Sequence, residues 1–424
     1  MSPVGRSIVS SSYSAPPRPR TLSKSDYTLA RSCDAKLYFR ENGYPDDRES
    51  DPYLQLLAFG GYMVDALAKA KRPHGIALEY GRDTAADCER TRELLTRDDV
   101  TLFEGTLLVG RRLARADILE KRGNVVHLIE VKSKSIDGAA HAASILNGKA
   151  GEFRQARKPG LIAAEWREKL EDITYQVLLL ERMLPGVTVK PALILVDTSK
   201  RSALDNVPGL FRIITTPGRD GRERLHSAEF IGEATQLAAL DLLTQFDVSA
   251  EVELLRGEVE EAAARFESML DAPFNPAWSS HGSQCATCEF RDADPGVESG
   301  FALCWGELAT ARPHVLELFS VGKVNAIDGA PLIASMVTAG VASIFDVSEA
   351  CLVRKDGSRG PQAERQLRQI THTRSGTDWI GPSLRSNIAA VRYPLHFIDF
   401  ECSRLALPYH AGMRAWGQVA FQWN

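Results

Sequence analysis

No stretch of this sequence stays apolar over the roughly 18 residues that a membrane-spanning helix requires, so no span is expected. Met1 to Arg20 is rich in Ser, Pro and Arg and lacks the apolar core of a secretory signal, which suggests a disordered lead-in to a cytoplasmic protein. Internal repeats are absent, which excludes solenoids and arrays, and beyond the lead-in there is no low-complexity tract. Seven cysteines in 424 residues do not suggest a disulfide framework. The net charge of −4 is small and argues neither for nor against a polyanionic partner. What remains is an ordinary globular composition, 44% hydrophobic and 25% charged, at a length that allows two or three domains.

Periodicity supplies the elements. Leu22 to Glu41 reads as a helix, with Ser23 and Ser25 as N-cap candidates and Tyr27, Ala30, Cys33 and Leu37 at helical spacing. Further helices are expected over Leu54 to Lys71, Asp83 to Arg97, Ile162 to Leu184, Phe230 to Phe246 and Glu251 to Leu270. Thr106 to Leu119 and Val125 to Val131 are rich in apolar and β-branched residues and flank Lys121-Arg122-Gly123-Asn124, which predicts a hairpin. Val187 to Val196 reads as a buried strand. Pro273 to Gly300 is irregular, and Pro313 to about Val391 is helical again. Within the latter, Leu316 to Phe319 and Ala339 to Ile344 bracket a segment like the helix-hairpin-helix units that grip nucleic-acid backbones. A plain helical connector fits the same residues.

The chemistry concentrates on the hairpin, where Asp117 precedes Glu130-Val131-Lys132. With the turn centred on Arg122-Gly123, residue 119 faces 126, 117 faces 128 and 115 faces 130. Side chains alternate along a strand, so Asp117 shares a face with Leu128, Glu130 and Lys132. Asp117 and Glu130 become diagonal neighbours, about 7–8 Å apart at Cα. Two carboxylates so placed can hold one hard cation, Mg²⁺ or Mn²⁺, with the Val131 carbonyl as a third ligand and Glu104 as an extra or second-metal ligand. Such an ion would activate water and offset charge at a phosphate, while Lys132 would orient or deprotonate that water or add positive charge. Between Arg111 and Lys134 there are seven basic residues and three acidic ones. That balance suits a polyanion held beside a cation, although a solvated hairpin face has the same composition.

Cys33 stands alone near the start, whereas Cys285, Cys288 and Cys304 cluster downstream. Four thiolates gathered by a fold bind either a 4Fe–4S cluster or zinc. Cys88, Cys351 and Cys402 are expected to be ordinary small buried residues.

These features together resemble the RecB-type PD-(D/E)XK exonucleases, in particular the iron–sulfur branch that includes AddB and the CRISPR-adaptation nucleases. In that branch one cysteine precedes the nuclease core and three follow it, as Cys33 and Cys285, Cys288 and Cys304 do here. The matching span runs from about Leu22 to Trp305. The resemblance implies a catalytic set of Asp117, Glu130, Lys132 and Gln176, with Gln176 contacting substrate or the active-site water. It also implies a 4Fe–4S cluster stapling the first helix to the end of the domain. Leu180 stands where that family carries an aromatic, and the gap between the last two cysteines is longer than usual.

Near the C-terminus, Phe397-Ile398-Asp399-Phe400-Glu401 resembles the first motif of a DEDD exonuclease, a ribonuclease-H-like fold in which Asp399 and Glu401 would bind metal from one strand face. The two further aspartates of such a site are absent. The second site is therefore expected to be incomplete and inactive, with an exposed edge that invites a missing segment or a partner protein. The order of parts is similar to an uncharacterised bacterial family. The expected fold class is α/β: a disordered 1–20, a restriction-endonuclease-like PD-(D/E)XK core with helical additions over 21–310, a helical linker over 311–391 and an incomplete ribonuclease-H-like fragment over 392–424. Two functions fit. One is a Mg²⁺- or Mn²⁺-dependent nuclease, preferring DNA and cutting from ends, in repair or defence. The other is a non-catalytic nucleic-acid-binding module that keeps the fold and its iron–sulfur or zinc site.

Overall fold

The β-branched and apolar residues between Asp99 and Ile136 form a three-stranded antiparallel meander at the centre of a computed structural model that describes residues 20–46, 52–79, 81, 83–217, 223–292, 296–326, 328–354 and 356–423. The N-terminal lead-in lies outside the described residues, apart from its last position. The chain is α/β, with a mixed seven-stranded sheet. Its strands are β1 (Leu22–Ser23), β2 (Ile76–Ala77), β3 (Asp99–Val109), β4 (Arg112–Arg122), β5 (Val125–Ile136), β6 (Thr188–Asp197) and β7 (Leu243–Asp247). Their spatial order is β7-β6-β5-β4-β3-β2, with β1 pairing parallel to β4. Around them lie helices α1 (Lys24–Ser32), α2 (Ala35–Glu41), α3 (Pro52–Ala70), α4 (Thr84–Leu94), α5 (Ala164–Met183) and α6 (Ser249–Met269).

Both faces of the sheet are buried. Leu102, Leu119, Val126, Leu128, Leu193 and Leu195 pack in one core with Ile173 and Val177 of α5 and Phe266 of α6. Ile118, Ile129, Val131, Ile194 and Val196 pack on the opposite side with Met63, Val64 and Leu67 of α3. This two-sided burial explains why β6 reads as an uninterrupted apolar run, and truncating fully buried Leu193 or Leu195 to Ala would cost about 2–5 kcal/mol. No helix among the described residues is long and apolar enough to cross a membrane.

Several boundaries differ from the sequence expectation, for local reasons. The helix expected over Leu22 to Glu41 is two helices. Ser23 caps α1 in a capping box with Asp26, leaving Ser25 inside the helix, and Cys33 then breaks it with an extended backbone. The strand expected over Thr106 to Leu119 folds back at Gly110, whose φ of +60° suits the turn between β3 and β4. Phe230 to Phe246 is not a helix. A strand ends at Phe230, Ala234–Ala239 forms a short helix, and Leu243 and Phe246 pair antiparallel with β6. Leu243 and Phe246 point to opposite faces of a sheet covered on both sides, so the strand shows no period of two and the three-residue spacing reads as a helix. The linker between Pro313 and Val391 holds helices at Leu332–Thr338, α7 (Pro361–Ser375) and Leu384–Ala389, joined by short 3₁₀ turns and irregular chain. The final strand starts at Phe400, not Leu395: β8 (Phe400–Arg404) pairs with β9 (Gln418–Trp423). Cys402 is exposed and Cys351 half-buried, so neither is the buried residue expected.

The chain between β8 and β9 docks on the α3 side of the main sheet. Leu405, Ala406, Leu407 and Ala415 are buried there, and the Trp416 indole N–H donates to the Ser133 carbonyl at 2.7 Å. Away from that contact, Phe397 and Ile398 are 84% and 70% exposed, so the C-terminal hairpin is anchored by its connecting loop and not by its aromatic end.

Candidate active site

The turn between β4 and β5 is Gly123-Asn124, with Gly123 at φ +57° and Arg122 opposite Val125. That is one residue later than expected, and it moves the pairing by two. Ile118 faces Ile129, so one further step sets Asp117 directly opposite Glu130 instead of diagonal to it. A shift of two keeps every side chain on its expected face, which is why the site survives the error. The Val131 N–H donates to Asp117 Oδ2 at 2.7 Å, fixing the carboxylate against β5.

Glu130 is 1% exposed and fully engaged. Its Oε1 accepts from Lys24 at 2.8 Å and from Lys132 at 2.7 Å, and its Oε2 accepts from Gln176 Nε2 at 2.7 Å. Lys132 also bonds Asp172 Oδ2 at 2.6 Å, and Lys24 lies 3.6 Å from Asp172 Oδ1. On the other side, Lys69 of α3 joins Glu104 to Asp65. Glu104 lies in β3 opposite Asp117 with φ +59°, a left-handed backbone that costs a non-glycine residue about 1–3 kcal/mol and that clusters at functional sites.

Burial pushes Asp117 up to about 8, with the Glu130 carboxylate adding to the rise. For Glu130 burial acts in the same direction, but Lys132 and Lys24 overcome it and hold the group well below the usual carboxylate range. Burial would lower Lys132, yet Asp172 and Glu130 keep it well above the ordinary lysine value. Asp65 is raised, chiefly by burial, and its Oδ1 is buried without a hydrogen-bond partner.

Lys24, Asp172 and Asp65 belong to this cluster and were not foreseen. Asp172 precedes Gln176 by one helical turn on the same face of α5, a signal that was available. Lys24 carries no such sign, being 106 residues from Glu130. It arrives because β1 pairs with β4 and starts α1 beside the site, and Tyr27 stacks on Tyr175 at 5.0 Å to hold α1 against α5.

As the side chains stand, no three His, Cys, Asp or Glu residues among those described are grouped to grip a metal ion. The lysines occupy the carboxylates instead. The donor set nevertheless has the chemistry of a hard divalent cation. It is all oxygen, with five acidic side chains (Asp65, Glu104, Asp117, Glu130 and Asp172) against three ammonium groups. Asp117, raised by burial and by the Glu130 carboxylate, and the unpartnered Asp65 oxygen are groups that a hard dication would satisfy.

A cleft of about 750 Å³ leads away from Lys132 along α1. Six basic side chains line it (Lys24, Arg31, Lys36, Arg40, Lys132 and Arg167) against Glu168, Glu171 and Asp172. Arg31 and Arg167 share Glu171 at 2.7 Å each.

Lys36 reaches a second cavity, whose walls include all four expected cysteines, Cys33, Cys285, Cys288 and Cys304. The chain leaves α1 at Cys33, whose Sγ lies 3.8 Å from the Trp278 carbonyl across 245 residues. Burial raises the thiols of Cys285 and Cys288 and takes Cys304 up to about 12, the neighbouring thiols adding to it. Four sulfur donors on the walls of one pocket are the donor type a thiophilic metal group takes, and such a group would have to displace the protons that burial favours on Cys285, Cys288 and Cys304. Asp399 and Glu401, by contrast, are both exposed, Asp399 lies outside the strand, and no further carboxylate gathers with them among the described residues.

No protein-family model matches this chain, and no curated protein matches it.

Proposed function

We propose that the chain is a metal-dependent nuclease of the PD-(D/E)XK kind that hydrolyses nucleic-acid phosphodiester bonds, DNA preferred, working from ends. The observation that carries this reading is the convergence of Asp117, Glu130 and Gln176 on Lys132, which itself lines a basic cleft. Asp117 and Glu130, with Glu104 and the Val131 carbonyl as further ligands, would hold Mg²⁺ or Mn²⁺; bound there, the ion supplies Lewis acidity that activates water and offsets charge on the phosphate. Lys132 keeps its proton far above neutral pH, so its role is to hold positive charge beside the scissile phosphate and not to act as a base. Gln176 orients Glu130 through Oε2, and its own buried, unpartnered Oε1 is an acceptor for a water or substrate proton. Lys24, Lys36 and Arg40 line the path along which phosphates would bind.

Cys33, Cys285, Cys288 and Cys304 would hold a 4Fe–4S cluster, with zinc as the alternative. Its role would be structural, joining α1 to a segment some 250 residues on. Asp399 and Glu401 have no catalytic part in this reading.

Digestion of end-labelled single- and double-stranded oligonucleotides under Mg²⁺ or Mn²⁺ titration tests the proposal. Degradation by the parent and its loss in Lys132→Ala are expected; equal degradation by both would refute it. A second reading, a non-catalytic binding module, draws on the full engagement of Glu130 by Lys24, Lys132 and Gln176. Binding without cleavage in either metal would favour that one.

A further inference from the structure

The stretch from Arg354 to Arg392 carries eight Lys and Arg residues against three Asp and Glu, in a chain whose net charge is −4. At its centre lies α7. Gln366 and Gln369 on one side fasten the helix to the turn before it: Gln366 donates to the Phe319 carbonyl at 2.6 Å, and Gln369 donates to the Glu317 carbonyl and accepts from the Phe319 N–H, both at 2.8 Å. The other side is open. Arg365 lies over the Phe319 ring at 3.8 Å. After the helix ends at Gly376 the chain folds back, and Arg368 lies over the Trp379 ring at 4.3 Å. Arg365, Arg368 and Trp379, with Glu364, Gln369 and His372, line a groove of about 520 Å³, in which Trp379 remains 49% exposed.

Resting on the reading that the substrate is nucleic acid, we propose that this groove binds a single strand as a contact outside the catalytic cleft. A helix rises about 1.5 Å per residue, so Arg365, Arg368 and His372 present donors at intervals of about 4.5 and 6 Å along one line, suited to successive backbone phosphates. The arginine–aromatic pairs are partly solvated, and such surfaces are ones on which unpaired bases stack without regard to sequence. The one opposing charge in the groove, Glu364, meets Arg368 at 3.4 Å as an exposed i,i+4 pair, which is weak and easily exchanged for a phosphate. Duplex DNA offers no free base faces to such a platform, which points to single strands.

The test uses the full chain carrying Lys132→Ala, so that substrate survives, and reads fluorescence anisotropy of a labelled 20-nucleotide single strand and of the matching duplex. Arg365→Gln with Arg368→Gln should weaken single-strand binding about tenfold or more and flatten the slope of log affinity against log salt by about 1.4. Trp379→Ala should weaken it by roughly 5-fold or more with the salt slope kept, since stacking is not ionic. Arg365→Lys with Arg368→Lys should keep the slope and still lose affinity. Melting temperatures matching the parent's guard against misfolding. Unchanged affinity and slope in the Gln variant would overturn the groove assignment and leave the nuclease reading standing. Duplex binding weakened as much as single-strand binding would overturn the single-strand assignment. A parent that binds neither nucleic acid removes both.

Discussion

Replacing Asp117 with Asn separates the electrostatics of the site from its scaffolding. Asn keeps an oxygen for the Val131 N–H, which bonds Asp117 Oδ2 at 2.7 Å, so the β4–β5 junction loses no hydrogen bond. It also mimics the protonated carboxyl that burial and the Glu130 carboxylate favour at this position. Without divalent metal, Asp117→Asn should therefore be as stable as the parent or slightly more so, within about 1 kcal/mol. With metal the two must diverge. An ion at one hundred times its dissociation constant stabilises the parent by about 2.7 kcal/mol, a rise in melting temperature of roughly 3 °C for a chain this long. Removal of one carboxylate ligand should abolish most of that rise and lower cleavage by about 10³-fold. Differential scanning fluorimetry with and without Mn²⁺, beside a digestion assay, measures all three quantities. A metal-free variant destabilised by more than about 3 kcal/mol, or one that keeps the parent's full metal-induced shift, would refute the reasoning.

Other expectations follow from the same geometry. The β5–β6 ladder is interrupted just after Lys132, and Trp416 holds the freed Ser133 carbonyl there, so Trp416→Phe should lower kcat several-fold with KM little changed, measured in steady-state digestion. Anaerobic purification should give a brown protein, and Cys304→Ser should bleach it and lower its melting temperature; a colourless preparation with stoichiometric zinc would point to the other metal. His314 is fully buried and held below the ordinary imidazole value, first by burial and then by Arg291 and Arg312. Below about pH 6.5 the unfolded chain takes up a proton that the native one resists, so stability should be complete above that pH and fall beneath it. His314→Asn retains the acceptor that caps the Leu316 N–H and should flatten this acid limb in urea titrations at pH 7.5 and 5.5.

The candidate site was legible where local pattern and chemistry coincide. Glu130 and Lys132 end an otherwise apolar strand, and alternation alone sets them on one face with Asp117. The turn was misplaced by one residue, yet a two-residue slip in pairing preserves that face. Gln176 was found by resemblance, and Asp172 one turn before it could have been read from helix geometry. Lys24 and Asp65 could not, because nothing within their own segments tells that β1 joins β4 or that α3 packs beside β3. The four cysteines were legible as a set because irregular polar sequence seldom retains thiols. Phe230 to Phe246 misled because a strand covered on both faces, with Leu243 on one and Phe246 on the other, loses the alternation that marks a strand. In the linker, 3₁₀ turns have too few residues for any period to register.

The central claim is that Asp117 and Glu130 together bind a divalent ion, and anomalous diffraction from crystals soaked in Mn²⁺ tests it most directly. A peak beside both carboxylates, with the Lys24 and Lys132 amines drawn back from Glu130, is the predicted result. A site without a peak in crystals of protein that cleaves its substrate, or a Mn²⁺ ion held by other residues, would contradict the account.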